Sequence, residues 1–279
     1  MLLRFTKMHG LGNDFMMVDL ISQQVTLNLE LVKELSDRRF GIGFDQLLTV
    51  RPPVRPDSDF RYTIYNADGS EAEQCGNGAR CFLRFVRDEG LTTKSTVRLE
   101  TSNGDITCKL EKDGNITVDM GQPALQPGKV PFVADSAQIN YDLSLGPEFS
   151  ERFSISALNV GNPHAVITVA AVHSAPVVEI GPLIERHPRF PEGVNVGFME
   201  VVSRKKIRLR VFERGVGETK ACGSGACAAV VAGRLQGVLD NTVDVELTGG
   251  HLSVTWGGDN DTIKMTGPAC KVYEGRLQV

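Results

Sequence analysis

The sequence contains no apolar run approaching the roughly 18 residues that a membrane-spanning helix requires. Its first residues, Met1 to Gly10, interrupt their apolar positions with Arg4, Lys7 and His9 before a secretory core could form. These two features predict a cytoplasmic protein with no membrane partner. An excess of positive charge is also missing. Lys and Arg total 30 against 34 Asp and Glu, a formal net charge of -4, which argues against a nucleic-acid partner. The basic cluster Arg204-Lys205-Lys206 is too short to alter that and reads as a solvated strand edge. No cysteine lies in a C-x-x-C pair, and no G-x4-G-K-[ST] phosphate loop occurs.

What is present is an ordinary globular composition, 41% hydrophobic and 23% charged over 279 residues, long enough for two medium-sized domains. A chain of this length buries a core without covalent staples, and a reducing compartment keeps thiols reduced. The six cysteines therefore need an explanation other than disulfides.

The most informative pattern is an internal repeat with an offset of about 147 residues. Arg61-Tyr-Thr-Ile-Tyr-Asn66 lies over Arg208-Leu-Arg-Val-Phe-Glu213, and nine residues after each stretch stands a cysteine, Cys75 or Cys222, opening Cys-Gly-Asn-Gly-Ala and Cys-Gly-Ser-Gly-Ala. After a one-residue slip the match continues through Leu99–Gly104 and Val245–Gly250, then Met120-Gly121 and Thr266-Gly267; upstream, Gly12-Asn13 pairs more weakly with Gly161-Asn162. Two long copies indicate a duplicated domain rather than a solenoid of short units.

Each copy carries short β-branched or aromatic runs bounded by Gly, Asn and Asp. In the first these are Arg61–Tyr65, Thr96–Thr101, Ile106–Leu110 and Ile116–Met120. In the second they are Ala165–Val169, Ile207–Phe212, Val243–Leu247 and Leu252–Trp256. Helices are predicted over Ala79–Glu89 and Ala226–Gln236, directly after the cysteine segments. Peripheral helices are predicted over Leu29–Ser36, with Asn28 as N-cap, and over Ile180–Arg186. The proline-rich stretch Pro123 to Pro147 is assigned to the crossing between the copies.

A thiol at a helix start feels unpaired backbone N–H groups and the positive end of the helix dipole, both of which favour thiolate. Glycines beside it let the backbone approach an anion closely. If the copies pack about a pseudo-two-fold axis, both helix starts address one cleft. Inverting an amino-acid α-carbon requires a base on one face and an acid on the other, with donors to hold the carboxylate as charge develops. Cysteines at paired helix starts supply all three. Alternatives remain: a zinc site from Cys75, Cys81, Cys222 and Cys227, despite spacings that fit zinc knuckles poorly; a redox pair; or a phosphate loop at Gly215-Val-Gly217 and Gly223-Ser-Gly225. Cys81, Cys108, Cys227 and Cys270 are expected in the core.

Eight segments in order carry a family resemblance. They are His9-Gly-Leu-Gly-Asn-Asp14, Arg39-Phe-Gly-Ile-Gly43 with Asp45-Gln46, Asn66-Ala-Asp-Gly69, Gln74-Cys-Gly-Asn-Gly-Ala-Arg-Cys81, Gly161-Asn-Pro-His164, Gly193-Val-Asn-Val196, Glu213-Arg-Gly-Val-Gly-Glu-Thr219 and Ala221-Cys-Gly-Ser-Gly-Ala-Cys227. In these the chain resembles the diaminopimelate epimerases, isomerases that interconvert L,L- and meso-2,6-diaminopimelate on the route to lysine and peptidoglycan, without pyridoxal phosphate. Lys220 and Ser224 depart slightly from the pattern.

The resemblance implies an α/β (α+β) fold of two pseudo-symmetric domains, each a mixed, barrel-like sheet around a central helix, with the active site in the cleft between them. The domains would be 1–120, completed by 268–279, and 121–267. It implies no cofactor and no metal, Cys75 and Cys222 as the acid and base, and substrate contacts from Asn13, Gln46, Asn66, Gly76, Asn77, Asn162, Asn195, Glu213, Arg214, Gly223 and Ser224. Arg214 would grip a carboxylate and Glu213 an ammonium at the distal end. His164 and Glu213 would tune the thiols, and Tyr273 would mark a homodimer contact. The rival readings are a proline-racemase-like or phenazine-type isomerase, and a binding protein of the same fold without catalysis.

Overall fold

The computed structural model describes residues 2–72, 75–102, 104–146 and 152–279; Gln74, part of one quoted motif, and Pro147, the end of the proline-rich stretch, lie outside them. Contacts divide the chain into two units, Met1–Asp119 with Thr266–Val279, and Met120–Met265. Residues 123–146 group with the second, where Val130, Phe132, Tyr141 and Leu143 join its core.

In the first unit the order is β1 (Leu2–Gly10), β2 (Asn13–Asp19), α1 (Leu29–Ser36), β3 (Gln46–Arg51), β4 (Phe60–Asn66), β5 (Glu71–Ala72), α2 (Gly76–Asp88), β6 (Thr96–Thr101), β7 (Gly104–Leu110) and β8 (Ile116–Asp119). The second holds β9 (Tyr141–Ser144), β10 (Arg152–Asn159), β11 (Pro163–Thr168), α3 (Val177–Glu185), β12 (Asn195–Ser203), β13 (Lys206–Glu213), β14 (Gly217–Thr219), α4 (Gly223–Leu235), β15 (Thr242–Leu247) and β16 (Gly250–Thr255). The chain leaves it along β17 (Lys264–Gly267), and β18 (Cys270–Gln278) returns to pair antiparallel with β1.

Both units follow one topology. In the first, β1 and β2 are antiparallel, β2 and β3 parallel, β3 and β4 antiparallel, β4 and β6 parallel, and β6 and β7 antiparallel. Strands β10, β11, β12, β13, β15 and β16 repeat that series pair by pair. Helix α2 packs on β1, β2 and β3 and also on β7 and β8, so the sheet curls around it; α4 is held likewise by β10 to β13 and β16. Register makes the equivalences specific. Phe15 lies beside Gln46 and Gln46 beside Asn66, where the second unit places His164 beside Asn195.

Local chemistry explains most element ends. Asn28 caps α1, its Oδ1 accepting from Leu31 N at 2.8 Å, and Val32 and Leu35 face the core. Helices α2 and α4 start at Gly76 and Gly223, three residues before the predicted starts, because the glycines lie inside the first turn rather than in a loop. Gly78 is required there: a Cβ would sit 2.3 Å from the Tyr62 hydroxyl oxygen. Helix α3 also starts three residues early, at Val177, and tolerates Pro182. Arg204 and Lys205 form the turn between β12 and β13 rather than a strand edge. Arg204 pairs with Asp240 at 2.9 Å and Lys206 with Glu246 at 2.8 Å.

Cys81, Cys108 and Cys227 are buried, whereas Cys270 is exposed. It opens β18, whose first five residues all face outward, so it belongs to the surface and not to the core. Burial pushes the Cys81 thiol far up and the Cys108 thiol up to about 12, which makes both inert core thiols. No described helix is long and apolar enough to cross a membrane.

Candidate active site

In the first unit Cys75 is the N-cap of α2, its Sγ accepting from Gly78 N at 3.4 Å. The first-turn amides, including those of Gly76 and Asn77, therefore surround the position an anion would occupy. The sulfur also lies 3.6 Å from Asn13 Oδ1, to which Asn77 Nδ2 donates at 3.3 Å. Across β3 and β4, Gln46 Nε2 donates to Asn66 Oδ1 at 3.0 Å, and Asn66 Nδ2 to Ser70 Oγ at 3.1 Å. The first unit thus gathers Cys75, Asn13 and Asn77, with Gln46 and Asn66 paired beside them in the sheet. Tyr62, fully buried, donates to the Cys75 carbonyl at 3.3 Å and fixes the approach to the helix.

In the second unit Cys222 caps α4 in the same way, accepting from Gly225 N at 3.4 Å, with Ser224 Oγ 3.6 Å from the sulfur. Here the dipole argument is outweighed. Burial, then the negative charge of Glu213, hold the Cys222 thiol well above its ordinary value, against the opposing bonds from Ser224 and Gly225. Glu213 in turn accepts from Thr219 Oγ1. Asn195, buried, donates to Pro163 O at 3.3 Å and accepts from Arg214 N at 2.9 Å, so it fixes the backbone of the Glu213-Arg214 corner.

His164 is buried, its Nε2 2.8 Å from Asn162 Oδ1, and its Nδ1 has no hydrogen-bond partner among the described residues. Burial, with a contribution from the Arg214 charge, lowers the imidazole to about 3. It is therefore neutral in the working range, and any influence it has on a thiol is exerted by a dipole rather than by a positive charge. A folded value below the unfolded ~6.5 means that His164 contributes stability above about pH 6.5, which is lost as pH falls towards 3. The ring is expected to show no titration by NMR between about pH 5 and about pH 9. The thermal midpoint of H164N should fall less steeply with acidification than that of the parent; a titration near 6.5 would refute the assignment.

Several supporting residues carried no signal in the periodicity or the repeat. Glu185, buried at the end of α3, accepts from Gly215 N at 2.7 Å. Gly193, at φ +73°, leaves room for Arg214, whose Cδ would lie 2.9 Å from a Cβ there, while Arg214 donates to Glu192 O at 2.8 Å. Arg80 is fully buried within α2. It was visible as the arginine in the Cys75 motif, but nothing in its spacing distinguished it from a solvated helix residue. Tyr273 stands partly exposed on β18, edge-on to Phe5 with ring centroids 6.0 Å apart. Among the described residues no group of three or more His, Cys, Asp or Glu is arranged to hold a metal.

Comparison with known proteins identifies the family. Residues 5–126 and 156–272 match the family model described as diaminopimelate epimerase. The chain belongs to the diaminopimelate epimerase family. It is 56% identical to the diaminopimelate epimerase of Ectopseudomonas mendocina, over 100% of both chains, and 56% identical to that of Azotobacter vinelandii with the same coverage. Among solved structures it resembles a hydroxyproline epimerase from Agrobacterium vitis, with TM-score 0.72 and 13% identity over 99% of this chain and 92% of the other. A phenazine biosynthesis protein from Bacillus anthracis gives TM-score 0.67 and 16% identity, covering 100% of both chains. At such identities these likenesses concern the fold, the α/β arrangement of two pseudo-symmetric domains that the repeat implied.

Proposed function

We propose that the chain catalyses the reversible epimerisation of L,L-2,6-diaminopimelate to the meso form, with Cys75 and Cys222 as its two acid/base groups. It is an isomerase of the diaminopimelate epimerase family, acting in lysine and peptidoglycan precursor biosynthesis. The observation that carries the mechanism is the repeated placement of a cysteine at the start of the one central helix of each unit, Cys75 on α2 and Cys222 on α4. One thiolate takes the α-proton and becomes a thiol; the electron pair left on the α-carbon delocalises into the carboxylate; the other thiol returns a proton to the opposite face and becomes a thiolate. The reaction is balanced with no further reactant. Each turnover leaves the two cysteines with their protonation states exchanged.

First-turn amides at Gly76, Asn77, Gly223 and Ser224 are assigned to the carboxylate at the reacting carbon, where preorganised donors lower the cost of developing charge. Asn13, Gln46, Asn66, Asn162 and Asn195 are assigned to the remaining polar groups of the substrate. Arg214 and Glu213 are assigned to the distal carboxylate and ammonium, which accounts for selection of a long diamino diacid over a small cyclic substrate. We also infer a cytoplasmic homodimer, with Tyr273 at the contact.

The test is exchange in D2O. Protein incubated with either isomer should introduce solvent deuterium at the α-carbon as it inverts, detected by mass spectrometry together with chiral chromatography. Binding without α-exchange would leave only a non-catalytic member of the fold and would sink the proposal.

A further inference from the structure

The Cys75 side chain meets, at Asn13, a hydrogen-bonded chain with a fixed direction. Arg80 Nη2 donates to Asn77 Oδ1 at 2.9 Å, Asn77 Nδ2 donates to Asn13 Oδ1 at 3.3 Å, and Asn13 Nδ2 donates to Asp45 Oδ2 at 3.0 Å. A guanidinium can only donate and a carboxylate can only accept. The two ends therefore determine which way both amides face: Asn77 must turn its oxygen to Arg80, and Asn13 must turn its nitrogen to Asp45. What remains for Cys75 is the oxygen of Asn13, 3.6 Å from the sulfur. An oxygen accepts from S–H and repels a thiolate, so this chain opposes the helix start, which favours the thiolate.

Both ends are anchored. Arg80 is fully buried and also donates through Nε to Pro268 O at 3.1 Å. Asp45 accepts from Arg38 at 2.8 Å and from Asp14 N at 3.1 Å, and Asp14 is paired with Lys7 and Arg38. The second unit has neither end. By the repeat, Cys227 stands at the place of Arg80 and Val194 at the place of Asp45, both buried, and Ser224 replaces Asn77.

We propose that Arg80 and Asp45 are positioning residues for the reaction, which orient Asn77 and Asn13 so that an amide oxygen faces Cys75 and holds that thiol towards its protonated form. The device is confined to the first unit and so makes the two cysteines chemically unlike. The proposal rests on the reading of Cys75 as an acid/base group only for its catalytic consequence.

Among the described residues, the titratable or charged groups around this chain include Tyr62 on β4, Cys81 and Arg80 on α2, Cys108 on β7, His9 on β1, whose Nδ1 accepts from Gly12 N at 3.4 Å, and the Lys7, Asp14, Arg38 and Asp45 cluster behind Asn13. Burial pushes Tyr62 and Cys81 well up and Cys108 to about 12. Tyr62, Cys81 and Cys108 therefore keep a constant charge from about pH 6 to about pH 10, the range over which a thiol ordinarily titrates.

The experiment measures iodoacetamide alkylation of Cys75 against pH, without substrate, on the tryptic peptide Tyr62–Arg80, which contains no other cysteine. The Asp45 side chain is 45% exposed, so its substitution leaves the core packing untouched. Asp45→Asn removes the charge but keeps an oxygen able to accept from Asn13. Asp45→Ala removes both, so that only the Asn77 donor still holds the Asn13 oxygen and the amide can turn its nitrogen to the sulfur. The alkylation midpoint is expected to fall by about one pH unit in D45A and by clearly less in D45N. Equal midpoints in the two variants would mean that only the charge acts, and would overturn the proposal. Arg80→Met should lower kcat about 10-fold at near-constant KM, with most of the loss recovered in Arg80→Lys, which retains a donor-only head. A lysine variant no better than methionine counts against the chain. Because alkylation needs no turnover, failure here is distinct from a failure of α-exchange in D2O.

Discussion

Alanine at either Cys75 or Cys222 is expected to reduce epimerisation in both directions by about 10²- to 10⁴-fold, the range that a positioned acid or base supplies, with the fold retained. Inversion needs a proton removed from one face and returned to the other, so one remaining cysteine cannot complete it. That cysteine can still take the α-proton on its own side and, after exchange with solvent, return a deuteron to the same face. Each variant should therefore incorporate deuterium without inversion from one isomer and stay nearly silent with the other, the two variants showing opposite preferences. The measurement is α-deuterium content against stereochemistry for C75A and C222A, each started from both isomers. Turnover within a few-fold of the parent in either variant would exclude the two-thiol mechanism. The environments of the sulfurs give a further expectation. Cys222 is held well up by burial and the nearby Glu213 carboxylate, so Glu213→Gln should let that thiol ionise at lower pH and shift the alkaline limb of the rate profile downward.

Much of this was legible in the sequence because it depended on local chemistry or on repetition. Asn28 followed by an amphipathic octet produced α1 with both ends in place, and the 147-residue offset became two helices that begin at Gly76 and Gly223 and end at Asp88 and Leu235. The cysteines were recognisable as helix-start residues from the helix-compatible stretches that follow them. The helix boundaries were set late by three residues because Gly-x-Gly reads locally as loop, and only tertiary packing shows why a helix tolerates it: Gly78 faces Tyr62, and Gly225 faces Val211 and Cys222. Cys270 was assigned inside because cysteine is commonly buried, whereas the exposed face of β18 depends on which strand it meets. The link between Arg80 and Asp45 was not legible, for a different reason. They lie 35 residues apart, from 45 to 80, and are joined through two asparagines that turn chemistry alone would explain.

The pairs of equivalent positions show where duplication has been overwritten. The glycines, the cysteine and the strand series are common to both units, and these generate a helix start with a thiol in it. The differences fall at equivalent positions in or next to the strands and central helices: Asn66 against Glu213, Phe15 against His164, Arg80 against Cys227, Asp45 against Val194. The first unit sets the Asn13 amide, itself bonded by Asn77, beside its cysteine, and the second sets the Glu213 carboxylate beside Cys222. Under the proposed two-thiol mechanism, the proton is therefore removed and returned by cysteines in unlike surroundings.

The shared frame itself is tested at Gly78. Alanine inside a helix is ordinarily favoured over glycine by about 1 kcal/mol, so a stabilising effect would be the default expectation for Gly78→Ala. Here the added Cβ meets the Tyr62 hydroxyl oxygen at 2.3 Å and Leu48 Cδ2 at 3.0 Å. Leucine can yield by a rotamer adjustment. Tyr62 cannot, because it is buried edge-on to Phe82 with ring centroids 5.1 Å apart and donates to the Cys75 carbonyl. Overpacking of this kind costs about 1–3 kcal/mol, which outweighs the helix preference, and the strain falls on the residue that carries the thiol. G78A is therefore expected to lose stability by denaturant titration and to lose activity as Cys75 is displaced. Removing the obstructing oxygen separates this cause from any other: in the double variant Gly78→Ala with Tyr62→Phe, the methyl group occupies the space the hydroxyl vacated. The double variant should be more stable than G78A alone, a coupling of at least about 1 kcal/mol between residues in direct contact. Additive effects, or a G78A protein as stable as its parent, would show that α2 begins somewhere other than against the Tyr62 hydroxyl.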